Sequence, residues 1–309
     1  DLIACMNGTA AIQVSLRLAG VEPGDEVIVP TLTFIASVNA ITYNNAKPIF
    51  MDADKYYNID AEKTIEFIKN ETVFKNGFTY NKKTNNKITA IIPVHVWGNA
   101  CWLDELIELC NKQNIAIVED ACESLGTFYN NGKYEGKHTG TIGKLGCLSF
   151  NGNKIITTGG GGMILTDDES LAEKAKYLTT QAKDDPIRYV HNEIGYNFRL
   201  TNIQAALGVA QLEQLPGFLK RKKEIFQQYQ TTLNDVDGLS ISNVPKKVIK
   251  IVDFKCPSSK MVKKNLWSIV DDLQPHDEVK FVIGNRKDFD WAKDRITEYS
   301  LDKICTLLF

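Results

Sequence analysis

Apolar residues recur with two different spacings over the first 245 positions, and the chain switches repeatedly between them. Short, nearly continuous apolar runs predict buried strands at 26–30, 48–51, 90–94 and 115–119. Between them, apolar positions fall on helical stripes: Leu103, Leu106, Ile107 and Cys110 share one face of a helix over 103–112. Asn7-Gly8-Thr9 precedes a periodic stretch that stops at Gly20, which predicts a helix with an Asn or Thr cap and a glycine stop. This alternation predicts an α/β fold, a mostly parallel sheet with helices on both faces.

The remainder reads less regularly. Residues 72–87, rich in Asn and Lys, read as an exposed excursion, and Gly159 to Gly162 as a hairpin-like turn. A helix is predicted over 171–179, and a longer one over 201–233, interrupted at Pro216-Gly217. After Pro245 the character changes: strands at 246–253 and 278–283 and a helix at 288–299 compose a β…βα unit of a second domain. The opening Asp1-Leu2-Ile3-Ala4-Cys5 reads as the middle of a strand whose upstream sequence is missing, and it lacks the features of a signal peptide.

With 309 residues there is room for one large and one small domain. The charge sum, 36 − 38 = −2, gives no electrostatic case for a nucleic-acid partner. No apolar run nears the roughly 20 residues that span a bilayer. Seven cysteines without a C-x-x-C pair argue against a disulfide framework or a close-spaced metal cluster and point to a reducing, cytoplasmic setting. The four histidines are too dispersed to suggest a metal site, so none is expected. The glycine-spaced stretch 140–146 lacks the Lys-Ser/Thr of a phosphate loop and reads as a turn.

Three features carry chemistry. Gly8 and Thr9 put free N–H groups and a hydroxyl at a helix start, where the positive dipole end suits a phosphate, although a plain N-cap would look the same. Asp120 closes a hydrophobic strand, where a carboxylate can hold a cationic ring nitrogen or simply cap a helix. Ser149 and Lys154 leave another strand end within an otherwise uncharged stretch, and a partly desolvated amine is what Schiff-base chemistry requires. Amine, acid and helix N-terminus together suggest pyridoxal phosphate, PLP.

At this point the chain is recognisable. Asn7-Gly8-Thr9-Ala10-Ala11, Gly24-Asp25-Glu26-Val27-Ile28-Val29-Pro30, Thr33-Phe34-Ile35-Ala36-Ser37, Glu119-Asp120-Ala121, Ser149-Phe150 with Lys154, and Gly195-Tyr196-Asn197-Phe198-Arg199 stand in the order found in the DegT/StrS-type nucleotide-sugar aminotransferases, which residues 1–245 closely resemble. The resemblance implies a PLP-dependent, aspartate-aminotransferase-like (fold type I) large domain over 1–215 and the beginning of a small domain over 216–245. It implies transamination of a nucleotide-linked keto-sugar, a UDP-linked 4-keto-6-deoxy amino sugar by the stretch 181–191, with glutamate as donor. Lys154 would bond the cofactor's aldehyde and shuttle a proton. Asp120 would pair with the ring nitrogen, Gly8, Thr9 and Ser149 would bind the phosphate, and Phe34 would stack on the ring. Glu123 stands where many relatives carry His or Gln beside the cofactor's hydroxyl. Asn197 would reach the phosphate of a neighbouring subunit, which implies a homodimer with shared sites.

Residues 247–309 instead resemble the C-terminal part of 7-carboxy-7-deazaguanine synthase, on Lys250-Ile251-Val252-Asp253-Phe254-Lys255-Cys256-Pro257, Asn265-Leu266-Trp267-Ser268 and the stretch 274–283. That family's three-cysteine cluster is missing, so no iron–sulfur chemistry is expected from this tail. The alternatives to the aminotransferase reading are a deazaguanine-pathway enzyme and an inactive chimeric remnant.

Overall fold

A computed structural model describes residues 1–130 and 132–233, and beyond them 236, 238, 239, 241, 251–254, 256–259, 262, 267, 270, 278–281, 283–304 and 306–308. The chain divides into two units, Asp1–Tyr129 with Lys133–Pro245 and Asn130–Gly132 with Lys246–Phe309.

In the first unit the strands are β1 (Leu2–Cys5), β2 (Glu26–Pro30), β3 (Lys47–Met51), β4 (Thr72–Lys75), β5 (Phe78–Asn81), β6 (Lys87–Ile91), β7 (Ala116–Asp120), β8 (Leu145–Ser149) and β9 (Gly162–Leu165). The helices are α1 (Gly8–Leu18), α2 (Ile35–Tyr43), α3 (Ala61–Glu71), α4 (Asp104–Lys112), α5 (Glu169–Thr179), α6 (Asn202–Leu212) and α7 (Leu215–Leu233). The sheet runs β1-β9-β8-β7-β6-β2-β3, parallel from β3 through β8 and antiparallel on either side of β9.

Its interior strands are apolar at successive positions because both faces are covered. On β2, Val27 and Val29 pack with Ile12, Leu16 and Ile41 of α1 and α2, while Ile28 between them faces Ile68 and Leu106 of α3 and α4. On β7, Val118 joins the first core and Ile117 the second. Side chains that alternate across a strand therefore feed two separate cores, the arrangement the apolar runs predict.

Two expectations are corrected. Residues 72–87 are largely exposed, as expected, but they hold regular strands and are no mere excursion: β4 and β5 form a hairpin, and β5 pairs antiparallel with β6. The Asn-rich composition concealed a specific use. Glu26 is only 3% exposed, and the amides of Asn81 and Asn86 donate to its two carboxylate oxygens at 2.8 and 3.1 Å. The second correction concerns 201–233, where α6 ends at Leu212 and α7 starts at Leu215. Pro216 thus lies in the first turn of α7, where its missing N–H has no helical partner to lose, and the break falls ahead of it.

The second unit holds a parallel sheet, β10 (Ile251–Phe254), β11 (Glu278–Phe281) and β12 (Thr306–Leu308), with α8 (Arg286–Tyr299) following β11. Residues 246–250 and 282 of the expected strands lie outside the described residues. The helix begins at Arg286, ahead of the expected 288, because Asn285 caps it and Asp288 turns inward, accepting from the N–H groups of Ser258 and Gly284. No described helix is long and apolar enough to cross a membrane.

Replacing Asn81 with Ala leaves one oxygen of a buried carboxylate without its donor, so Asn81→Ala is expected to cost about 1–3 kcal/mol. Urea unfolding measures the loss, and faster amide exchange in Phe78–Asn81 than in β7 localises it to the hairpin.

Candidate active site

The strand β7 ends on two successive carboxylates that point to opposite sides. Glu119 is fully buried. Its Oε1 accepts from the Ile142 and Gly143 N–H groups at 2.8 and 2.7 Å, and its Oε2 from the Gly140 N–H at 2.9 Å. His95 Nε2 lies 2.9 Å from the same Oε2. The Cys101 N–H donates to His95 Nδ1 at 3.0 Å, so Nε2 carries the ring proton and donates it to Glu119. Burial pushes the Glu119 carboxyl up, but these donors outweigh burial and hold it below its usual range. The glycine-spaced turn at 140–146 is therefore a cradle for a side chain of the protein itself.

Asp120, 6% exposed, faces the other way. Its Oδ2 accepts from Ser37 Oγ at 2.6 Å and its Oδ1 from the Cys122 N–H at 3.1 Å. Both donors are neutral, and among the described residues no cationic group forms an ion pair with Asp120. No helix follows it, so it is not a cap.

Helix α1 starts beside these strand ends. Asn7 is the cap, its Oδ1 accepting from the Ala10 N–H at 2.8 Å, which leaves the first N–H groups, of Gly8 and Thr9, outside the intrahelical ladder. Gly8 is required by packing: a Cβ there would stand 2.8 Å from Cys122 Sγ and 2.9 Å from Ser149 Cβ. Ser149 ends β8, and the chain beyond it loops out to Lys154 and returns, closed by Phe150 N–H to Gly161 O and Thr158 N–H to Phe150 O. Gln211 of α6 braces the loop by accepting from the Thr157 N–H. Lys154 Nζ sits 3.2 Å from Glu123 Oε1, with 16% of its side chain exposed.

These residues surround one cavity of about 500 Å³, lined by Gly8, Thr9, Phe34, Asp120, Glu123, Ser149 and Lys154 among others. It lies at the carboxyl ends of parallel strands, where ligands of open α/β sheets gather. Asn197 is outside it, exposed, in a segment whose backbone pairs with Thr180. A second cleft of about 490 Å³, bordered by Phe78, Lys87, Asn114 and Lys144, contains none of the candidate residues.

Three residues that shape the site carry no clear mark of that role in the sequence. Ser37 holds Asp120, and Glu119 anchors its strand. Trp97 presents a 63% exposed ring to the cavity; its only local signal is an aromatic beside Gly98 shortly after an apolar run. Cys122 also lines the cavity, but burial drives its thiol well above the ordinary range, which keeps it protonated.

The sequence profile of the DegT/DnrJ/EryC1/StrS aminotransferase family matches residues 1–279. The chain belongs to this family. It is 42% identical over 230 residues to the GDP-perosamine synthase of Escherichia coli O157:H7, covering 74% of this chain and 58% of that protein. It is 40% identical over 234 residues to the putative pyridoxal phosphate-dependent aminotransferase EpsN of Bacillus subtilis, covering 75% and 56%. The crystal structure of a DegT DnrJ EryC1 StrS aminotransferase from Brucella abortus superposes with a TM-score of 0.68 at 30% identity, over 79% of this chain and 62% of that one. The chain thus spans a little over half the length of the curated relatives it matches. The fold is that of the PLP-dependent aminotransferases, as the resemblance implied, and the family match runs beyond residue 245 to 279.

Replacing Glu119 by Gln keeps one acceptor oxygen but sets an NH2 group against the donors that faced the other, stranding two of the four in the interior. Glu119→Gln is expected to cost about 3 kcal/mol, since breaking a buried polar cluster from one side leaves its partners unsatisfied. Its folded carboxyl lies below the unfolded value of 4.5. The stabilisation is therefore complete above that pH and is lost as pH falls through the lower, folded value. Melting temperatures of the wild type and Glu119→Gln should differ most near neutrality and converge in acid.

Proposed function

We propose that the pocket binds pyridoxal phosphate and transfers an amino group from glutamate to a nucleotide-linked keto-sugar, for surface polysaccharide or nonulosonic acid synthesis in the cytoplasm. The observation that carries this reading is the convergence of the Lys154 amine and an Asp120 carboxylate without a cationic partner on one cavity that begins at a helix N-terminus. The residues fit the group. The close approach enforced at Gly8 brings the α1 N–H groups, Thr9 and Ser149 together as phosphate donors. Asp120, held by neutral donors, keeps a proton on a ring nitrogen. Phe34, 74% exposed at the start of α2, and Trp97 offer apolar ring faces.

When bound, pyridoxal phosphate supplies an aldehyde and an electron-withdrawing ring that stabilises negative charge on a neighbouring carbon. The chain's own part is proton handling and orientation. Lys154 Nζ, once uncharged, would carry a proton between the carbons on either side of the transferred nitrogen, and Glu123 lies within hydrogen-bond reach of that amine.

The stretch 181–191 supports a UDP-linked sugar. A GDP-linked sugar is the second reading, favoured by the similarity to GDP-perosamine synthase. We retain 246–309 as a separate unit with the deazaguanine-synthase likeness noted above, although the family match enters it.

A homodimer with shared sites is part of the same reading. Helix α6, Asn202–Leu212, has no charged residue and no buried one, and Ile203, Val209 and Leu212 are 84, 60 and 55% exposed. An apolar face of this kind calls for a cover, and Asn197, exposed and outside this chain's own cavity, is free to serve a second copy's pocket.

Adding pyridoxal phosphate to the purified protein should produce visible absorbance that Lys154→Ala abolishes, with amino transfer falling by at least about 10²-fold. A wild type that stays colourless overturns the reading, and assays with UDP- and GDP-linked keto-sugars decide the base. In sedimentation, wild type should run as a dimer and Ile203→Asp as a monomer.

A further inference from the structure

We propose that Glu123 is a positioning residue whose single carboxylate fixes the Lys154 amine and the Trp97 ring relative to each other before any ligand arrives, an inference that rests on the cofactor reading above. Its two oxygens serve different walls of the cavity. Oε1 lies 3.2 Å from Lys154 Nζ, and Oε2 accepts the Trp97 N–H at 2.9 Å.

The second bond matters because Trp97 is held in the left-handed region, at φ 53° and ψ 23°. A bulky L-residue is strained in that conformation and keeps it only where its surroundings insist. They do so from both sides. Asn58, 2% exposed, accepts the Val96 N–H at 3.1 Å and donates to Asn99 O and Ala100 O at 3.3 and 3.1 Å. Thr127 Oγ1 donates to Gly98 O at 2.8 Å, and the Tyr57 ring packs on Trp97 with centroids 4.9 Å apart. Asn58 holds the residues flanking Trp97; Glu123 holds the N–H of Trp97 itself. It is also the contact that links this loop to the amine. A strained aromatic, clamped in advance and aimed into a cavity, is preorganised to lie against a flat ring. Through Glu123 its placement is tied to the nitrogen that bonds the same ligand.

Two probes separate the arms. Pyridoxamine phosphate has an amine in place of the aldehyde and cannot bond Lys154, so its affinity reports the Trp97 arm; pyridoxal phosphate reports both. Titrations followed by absorbance and tryptophan fluorescence should show Glu123→Ala weakening both compounds by about tenfold, with melting temperature and circular dichroism confirming a folded protein. In the cycle of Glu123→Ala with Trp97→Ala, the combined loss of pyridoxamine phosphate affinity should be at least about threefold smaller than the product of the single losses. Glu123→Gln retains an oxygen for the Trp97 N–H and loses the charge beside Lys154. It should therefore keep pyridoxamine phosphate affinity within about twofold while weakening pyridoxal phosphate.

Multiplicative losses in the cycle, or equal losses of both compounds in Glu123→Gln, overturn the role of Glu123 and leave the cofactor reading standing. If Glu123→Ala does not fold, the Glu123→Gln split decides alone. A wild type that binds neither compound overturns the cofactor reading itself.

Discussion

Three walls of the cavity, the end of β7, the turn into β8 and the loop that carries Trp97, are tied to a carboxylate that never reaches it. Glu119 collects the N–H groups of Gly140, Ile142 and Gly143 and the His95 ring. Those donors lie on two segments that the backbone also pairs with β7, through β8 on one side and through Pro93, Val94 and His95 on the other. One leads into β8 and so to Ser149 and Lys154; the other carries Trp97 two residues beyond His95. Asp120 is its covalent neighbour, and the Asp120 backbone exchanges hydrogen bonds with Pro93 and His95. A buried anion cannot be left half satisfied, so the desolvation of Glu119 imposes a geometry on three segments at once. The pocket inherits its rigidity from that requirement.

The placement of the cavity follows from the same strand ends. Parallel strands buried on both faces release their polar chemistry only where they stop, and here β7 and β8 stop against the start of α1. The close approach at Gly8 shows how little room remains: the helix terminus, the Cys122 thiol and Ser149 meet with space for a hydrogen and nothing larger. Polar groups are thereby concentrated in a region walled by aromatic and aliphatic side chains, where each charge acts with little screening.

Much of this was legible from the chain alone because burial writes itself as pattern. The apolar runs of β2, β6 and β7 mark a sheet covered on both faces, and the Asn7-Gly8-Thr9, Asp120 and Lys154 positions line one cavity. What stayed hidden was polar. The pairing of the hairpin at 72–81 was hidden because Asn amides that serve the buried Glu26 have the same composition as Asn amides that serve water. Nothing in the sequence marks the role of Glu119, since it does not say that three N–H groups some twenty residues on will turn toward it. The conformation of Trp97 gave no signal either: a left-handed backbone in a non-glycine residue is imposed by tertiary contacts, and local preference argues against it.

The two acids of the pocket are not equivalent, and the difference argues for the chemistry. Glu123 already has a basic partner within the protein, Lys154 Nζ at 3.2 Å. Asp120 is bonded to a hydroxyl and a backbone amide, which stabilise its charge without cancelling it. A carboxylate that is 6% exposed, lacks an ion-pair partner among the described residues and faces a cavity costs stability to maintain. That cost is recovered only if the cavity receives a ligand that brings a positive N–H to that wall. The helix N-terminus and the hydroxyls of Thr9 and Ser149 make the complementary demand for an anion. A ligand that satisfies both must be rigid, cationic at one end and strongly anionic at the other, and between those ends it meets an amine at the end of the Lys154 side chain. Few small molecules meet all three conditions, and a phosphorylated pyridinium aldehyde is one that does.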